Sequence, residues 1–356
     1  MESRRAAQTL GVDIGGANIK LADAQGESLS RPFPMWTDAP RLAAFLGEML
    51  AAYTRRRERS ISRLAVTMTG EMADCFETRA EGVRRILAQV GMVFPAVATS
   101  VYTVEGAWLS PQAACADPWR VAASNWHALA SWIGQSPVCA DWAPQLVVDI
   151  GSTTVDVIPL ARGCVATAAR TDRDRLQLGQ LVYTGVGRTS VAAILAEVML
   201  EGRPCPLVAE RFATSDDAYL VLGLSQEDAG DHDTADGRAR TVPCAQARLA
   251  RMVAEDAQRL APAAIASIAQ QIVDSQARRV AQAIVANAGI EGDGRPLVVL
   301  VSGHGRALAQ LLPQHLPFPV HLLWLDERLS SEAARCAPAQ AVAWLLSKEG
   351  CGIKAG

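Results

Sequence analysis

The chain has 356 residues, half of them hydrophobic, with a formal charge of −3. That length fits two domains of ordinary size, and the missing basic excess argues against a nucleic-acid partner. No run of about 18 apolar residues occurs, so no helical membrane span is expected. Met1–Arg5 leads into a strand without a signal-type apolar core, and a cytoplasmic protein is expected. The eight cysteines form no CxxC pair, which argues against a zinc ribbon or a redox motif.

The predicted elements begin with strands at Thr9–Ile14, Ile19–Asp23 and Arg31–Pro34. A helix follows from Thr37 or Asp38 to about Arg57, with Leu42, Phe45, Leu46, Met49 and Leu50 on one stripe. It ends in the basic run Arg55–Arg59, read as a solvated helix end. Ser62–Thr69 reads as a buried strand, Glu77–Val90 as a helix, Val97–Val104 as a strand and Pro118–Ile133 as a helix. Strands restart at Leu146–Ile150, Thr154–Pro159 and Cys164–Ala168, with Gly163 at an expected positive-φ position. Arg188–Leu200 reads as helix, and Arg248–Asn287 as mostly helix. The polar stretch Ser225–Thr241 reads as a mobile loop. A strand from Pro296, a Gly turn, a strand at His321–Leu325 and a helix at Pro338–Lys348 close the chain.

Two segments repeat one pattern. Gly11-Val12-Asp13-Ile14-Gly15-Gly16-Ala17-Asn18-Ile19-Lys20 and Val147-Val148-Asp149-Ile150-Gly151-Ser152-Thr153-Thr154-Val155 each end an apolar run in Asp-Ile-Gly and resume as a strand. Such turns leave backbone N–H groups free for phosphate oxygens. The strand-end carboxylates, Asp13 and Asp149, suit a hydrated Mg²⁺. A third segment, Pro296–Arg306, enters a turn at Gly303-His304-Gly305. In this order the three segments resemble the phosphate-one, phosphate-two and adenosine motifs of the actin, sugar-kinase and Hsp70 ATPase superfamily. The resemblance implies an α/β fold of two RNase H-like domains with a cleft between them. The expected division is 1–144 and 145–356, with a helical insertion at about 188–290.

Further segments sharpen the resemblance: Thr69-Gly70-Glu71-Met72-Ala73-Asp74, Ser124-Asn125-Trp126-His127-Ala128, Asp172-Arg173-Asp174-Arg175-Leu176, Gly179–Thr189, Glu210–Thr214 and Asp233–Arg238. Together they resemble the hydantoinase/oxoprolinase-related proteins of tetrahydromethanopterin-linked one-carbon transfer, and within them the methanofuran-biosynthesis branch. The resemblance implies a transferase. It would join an aminomethyl-furan methyl diphosphate to the phenol of γ-glutamyl-tyramine, forming an aryl ether and releasing diphosphate. Such chemistry needs electrostatic help for the leaving diphosphate, exclusion of water and a base for a phenol of pKa near 10.

Asp13 and Asp149 are the expected metal-holding and catalytic carboxylates, against a reading as local turn caps. His304 is a candidate base, against a plain turn histidine. Gly15, Gly16, Asn18, Gly151, Ser152, Thr153, Thr154 and Gly303 are expected to shape the phosphate cradles. Lys20 is read either as a phosphate contact or as a solvent-facing strand residue. Arg173, Arg175 and Arg188 are anion candidates because guanidinium binds phosphate bidentately, although the aspartates of the DRDR segment offer local pairing instead. Glu71, Asp74 and Asn125 are candidates for substrate contact. Trp126 reads as core, and Asp233 and Asp236 as a second metal or amine site. The expected partners are small molecules, with Mg²⁺ as cofactor and self-association left open. Ala17 replaces the hydroxyl residue of many sugar kinases, which weakens the ATP case. An ATP-dependent small-molecule kinase and a nucleotide-switched partner protein remain as rival readings.

Overall fold

The computed structural model describes residues 8–55, 60–289 and 295–349. Most of the basic run, the extreme N-terminus and Cys351 lie outside them. Contacts group the chain into two units: 1–145 with 158–177 and 324–356, and 146–157 with 178–323. This differs from a single cut after residue 144, because the C-terminal helix Ala337–Glu349 packs on the first sheet.

The first unit is built on strands β1 (Gln8–Ile14), β2 (Asn18–Asp23), β3 (Ser28–Pro32), β4 (Ile61–Met68), β5 (Ala98–Tyr102) and β6 (Trp108–Leu109), in spatial order β3-β2-β1-β4-β5-β6. The first three form an antiparallel meander, and β4 and β5 run parallel to β1. Every residue of β1 is buried, as a strand covered on both faces requires. The Ala337–Glu349 helix approaches so closely that a Cβ on Gly11 would lie 1.9 Å from the Ala339 carbonyl oxygen. Only glycine fits there. The helices Leu42–Thr54 and Arg79–Val93 pack on each other. Thr78 starts the second of these by accepting from the Glu81 N–H.

The second unit's sheet comprises β7 (Leu146–Ile150), β8 (Val155–Ala161), β10 (Leu181–Val182), β13 (Leu297–Gly303) and β14 (Val320–Trp324), in the order β10-β8-β7-β13-β14; β8 runs past Val157 into residues grouped with the first unit, where the short β9 (Cys164–Val165) pairs with its end. The topology of the first unit recurs: a central strand ends in Asp-Ile-Gly, an antiparallel hairpin partner lies on one side and a parallel strand on the other. In both units the Asp-bearing turn therefore sits at the carboxyl edge of a parallel strand pair, where open α/β sheets place ligands. The chain is an α/β protein of two RNase H-like units, as its motif order implies.

Four expectations need correction. The Pro118–Ile133 helix is broken. A single 3₁₀ turn spans Pro118–Arg120, Ala123 takes a positive φ of 50°, and the α-helix runs Asn125–Gln135. Arg188–Leu200 holds only a four-residue helix, Val191–Ile194, followed by β11 (Glu197–Leu200) in a hairpin with β12 (Arg203–Pro206). Its burial alternates, with Val198 inside between exposed Glu197 and Met199. Glu201 and Gly202 take the positive-φ turn that a tight hairpin needs. The third strand of the second meander spans only Cys164–Val165. The acidic stretch Ser225–Thr241 is tied down rather than loose. Arg240 forks onto both carboxylate oxygens of Asp216 at 2.6 Å, and buried Arg248 holds Asp217 and Asp236.

Candidate functional site

In the first unit β1 carries Asp13 to the sheet edge beside Thr67 of β4. The Asp13 carboxyl is 1 % exposed and pairs through Oδ2 with Lys20 Nζ at 2.9 Å. Lys20 thus faces the carboxylate across the hairpin, since the two residues are register partners. Asp13 Oδ1 is buried without a hydrogen-bond partner. Gly15 N–H donates to Asn18 O at 3.0 Å and closes the turn, while nothing lies within 4 Å of a Cβ built on Gly16. The turn is buttressed from β4: Thr69 N–H donates to Ile14 O at 3.0 Å, and a Cβ on Gly70 would meet Gly15 O at 3.0 Å.

Glu71 follows directly. It is 1 % exposed, and neither carboxyl oxygen has a hydrogen-bond partner. Burial pushes its pKa up to about 7, against the opposing pull of the Arg79 guanidinium, while Asp172 adds to the rise. The backbone N–H groups of Glu71 itself and of Ala123 also act against the rise. An unbonded buried carboxyl costs about 1–3 kcal/mol, so it calls for an explanation beyond packing.

Around it lies a charged cluster. Arg79 Nη2 meets Asp172 at 2.6 Å, and Arg175, 2 % exposed, reaches the same carboxylate at 3.5 Å. The Arg175 guanidinium lies 4.3 Å over the Trp126 ring. Arg175 is therefore a buried cation stacked on an aromatic face, with the local Asp pairing that the DRDR spacing offers. Trp126 is core, as expected from sequence, and also the platform for Arg175. Arg173 and Asp74 are exposed. Asn125 opens its helix, its Oδ1 accepting from Trp126 N–H at 2.8 Å. Thr67 and Ser124 hydroxyls meet at 2.9 Å behind it.

This unit also holds a cavity of about 500 Å³ lined by Tyr102, Trp108, His127 and Lys348, among others, but by no residue of the Asp13–Lys20 hairpin. Its polar groups pair among themselves. Tyr102 Oη lies 3.0 Å from His127 Nδ1, and burial holds His127 down at about 4.

In the second unit Asp149 ends β7 opposite Ser302 of β13, and Gly151 N–H closes the hairpin onto Thr154 O at 2.9 Å. Two glycine segments press on this turn. A Cβ on Gly303 would lie 2.2 Å from Ile150 O and 3.0 Å from Asp149 Oδ1, and one on Gly305 would collide with the Ile150 side chain. From the other direction Thr184–Arg188 straps the turn. Gly187 and Arg188 N–H groups donate to Ser152 O at 3.0 and 2.7 Å, and a Cβ on Gly185 would lie 2.4 Å from Ser152 C. Buried Gln276, on the helix Pro262–Asn287, fixes the strap by donating to Thr184 Oγ1 and Gly185 O at 2.7 and 2.8 Å.

The unit thus gathers Asp149, Gly151, Ser152, Thr153, Thr154, Arg188, Gly303 and His304 at one sheet edge, with Thr153 and His304 exposed. Gln276 was not foreseen, since a glutamine inside an Ala-rich helix carries no signal until its partners are known. Arg79 likewise looks like any helix-start cation. Asp236 is committed to Arg238 and Arg248. Burial opposes its charge, but their hydrogen bonds prevail and hold its pKa at about 2. It is not free to serve a second metal, and Asp233 is exposed. Among the described residues no group of three or more His, Cys, Asp or Glu side chains converges on a metal-sized site. Nor is any described helix long and apolar enough to cross a membrane.

Residues 63–323 match the hydantoinase/oxoprolinase family. Over 252 residues the chain is 33 % identical to the (4-{4-[2-(γ-L-glutamylamino)ethyl]phenoxymethyl}furan-2-yl)methanamine synthase of Methanocaldococcus jannaschii, covering 69 % of this chain and 72 % of that protein. A synthase of the same name from Methanococcus vannielii is 32 % identical over 111 residues, 31 % of this chain and half of that one. Among solved structures, component A of (R)-2-hydroxyglutaryl-CoA dehydratase from Acidaminococcus fermentans aligns over 98 % of this chain and 100 % of that one at 15 % identity and a TM-score of 0.44. The polyphosphate/ATP-glucomannokinase of an Arthrobacter strain aligns over 95 % and 98 % at 14 % identity and a TM-score of 0.46.

Proposed function

We propose, for a chain that belongs to the hydantoinase/oxoprolinase family, a biosynthetic transferase that makes a methanofuran-type aryl ether. The substrates are an aminomethyl-furan methyl diphosphate and the phenol of γ-glutamyl-tyramine or a close relative. The observation that carries this reading is the 33 % identity to a synthase of that product over 69 % of the chain. The geometry is compatible with it. Each Asp-Ile-Gly turn sits at a carboxyl sheet edge, where backbone N–H groups suit diphosphate oxygens.

In the reaction the phenol oxygen bonds to the furfuryl carbon. The bond from that carbon to diphosphate oxygen breaks, and the electron pair leaves with diphosphate. The furan ring spreads the developing positive charge, so the protein must hold the leaving anion and keep water away. Gly151–Thr154, braced by the Gly185–Arg188 strap, is assigned to the anion, with Arg188 and Thr153 as side-chain contacts. Half-buried Asp149, at the same sheet edge as this turn, would suit a Mg²⁺ that keeps most of its waters, and within the first unit buried Asp13 keeps one unbonded oxygen that would serve the same purpose there. When bound, the ion would neutralise charge on the diphosphate.

The test is direct. The purified protein, given the furfuryl diphosphate, γ-glutamyl-tyramine and Mg²⁺, should yield one ether per diphosphate released. Folded protein that gives no ether overturns the reading. The rival, an ATP-dependent small-molecule kinase, draws on the paired hairpins and loses weight from Ala17. Tight Mg²⁺-dependent ATP binding in a calorimetric titration would favour it.

A further inference from the structure

We infer that Gln276 is the positioning residue of the second unit's anion cradle: through the Thr184–Arg188 strap it sets where the Ser152 and Thr153 N–H groups point, and so how tightly the turn holds a diphosphate. This rests on the assignment of Gly151–Thr154 to the anion and adds what aims the donors. Every group involved lies within the second unit.

The carbonyl oxygens of Gly151 and Ser152 both face the strap. Val186 N–H donates to Gly151 O at 3.1 Å, and the Gly187 and Arg188 N–H groups donate to Ser152 O at 3.0 and 2.7 Å. In a trans peptide the N–H points opposite to the C=O. The N–H groups of Ser152 and Thr153 belong to these same two peptides, so both are turned away from the strap. Among the described residues neither donates to a group of the chain. Successive N–H groups on one side of a turn make an anion-binding concavity. Thr153 is exposed and Ser152 half-buried, so the turn is not sealed from solvent.

That aim depends on the strap, and the strap hangs on Gln276. The glutamine is fully buried, and its Nε2 donates to Thr184 Oγ1 at 2.7 Å and to Gly185 O at 2.8 Å. Its Oε1 accepts from Tyr219 Oη at 3.2 Å, which fixes the way the amide faces. Thr189 Oγ1 accepts from Gly185 N–H at 2.8 Å and closes the strap on itself. Gly185 lies against the Ser152–Thr153 peptide, where a Cβ would come within 2.4 Å of both Ser152 C and Thr153 N. A shift of the strap therefore turns the peptide that carries the Thr153 N–H. Packing alone would be met by an aliphatic side chain, as at the buried positions Ile272, Val273 and Val280 of the same helix. A buried amide instead costs desolvation that only completed hydrogen bonds offset, and here both amide hydrogens go to the strap.

The experiment titrates Mg²⁺-pyrophosphate into the whole chain by calorimetry, beside the ether assay. Q276M keeps the side chain's length and removes its donors. Its Kd for Mg²⁺-pyrophosphate should rise at least about tenfold. The kcat/KM for furfuryl diphosphate should fall by a similar factor, with the KM for the phenol unchanged. Q271L is the control: Gln271, on the same helix, grips the Met199 backbone instead, and its loss should leave the affinity unchanged. T184V drops one of the two acceptors and should weaken binding about threefold; it decides the matter if Q276M does not fold. Folded Q276M that binds pyrophosphate as tightly as wild type overturns the assignment, as does an equal loss in Q271L. Wild-type protein that binds no Mg²⁺-pyrophosphate overturns it too. If wild-type protein makes no ether yet loses its pyrophosphate affinity with Gln276, the transferase reading falls and the positioning role stands.

Discussion

The two Asp-Ile-Gly hairpins share a sequence pattern and a place in their sheets, yet they sit in opposite surroundings. Asp13 is sealed and already faces a cation, Lys20, and its turn is open around Gly16. Asp149 is half-buried, and its turn is gripped from two sides by Gly185–Arg188 and Gly303–Gly305. The pattern therefore specifies a turn, and the neighbours decide what the turn does. We read the first as a charge-balanced wall beside Glu71 and the second as a rigid anion cradle.

Substitutions can break this contrast. The largest effect is expected from Gly185→Ala. Its Cβ would meet the Ser152–Thr153 backbone at 2.4 Å, and backbone cannot step aside. A loss of about 3 kcal/mol in denaturant unfolding is expected. A fall in ether formation on the order of 100-fold should accompany it, because the cradle is displaced.

Next comes Glu71→Gln, read by stability against pH. In the folded chain Glu71 keeps its proton up to about 7, and in the unfolded chain it releases it near 4.5. The native state thus binds more protons between those values, and wild-type stability falls as pH rises through that window, by about 3 kcal/mol in all. The amide has no such dependence. The variant should be the more stable protein at pH 8, with the gap closing towards pH 4.5. A constant gap across that range would show that Glu71 does not titrate there.

Lys20→Met should cost less, about 2 kcal/mol. It strands a buried carboxylate, although Lys20 itself keeps 23 % exposure. The second hairpin has no counterpart to this substitution, since its outgoing strand Val155–Ala161 contains no lysine.

The smallest effect is expected from Gly16→Ala, within about 0.5 kcal/mol, because its Cβ points into open space at an ordinary φ. If Gly16→Ala matched Gly185→Ala in cost, the contrast between an open and a gripped turn would be lost.

Much of this was legible in the sequence. Both hairpins, the Gly303 turn, the strand set and the family follow from short apolar runs ending in Asp-Ile-Gly and from motif order. Glu71, Asp74 and Asn125 could be singled out as polar groups in apolar company, and Arg175 as a guanidinium in the DRDR segment. Their roles could not. Arg175 reads as an anion ligand until Trp126 and Asp172 are placed around it, and Ser225–Thr241 reads as loose until Arg240 and Arg248 anchor it. The Arg188–Leu200 stretch misled because a helical composition was overruled by a two-residue turn at Glu201-Gly202 and by pairing with β12.

Local chemistry, carried by residues adjacent in the chain, determined the turns, the strands and the two-unit topology: glycine conformations, alternating or continuous apolar runs and strand-end carboxylates act over a few residues. Only the tertiary structure decided which charges are spent and which are kept. Pairing energies and burial depend on residues about a hundred positions away, as Asp172 is from Arg79 and Gln276 from Thr184. An unbonded carboxyl such as that of Glu71 is defined wholly by what fails to reach it.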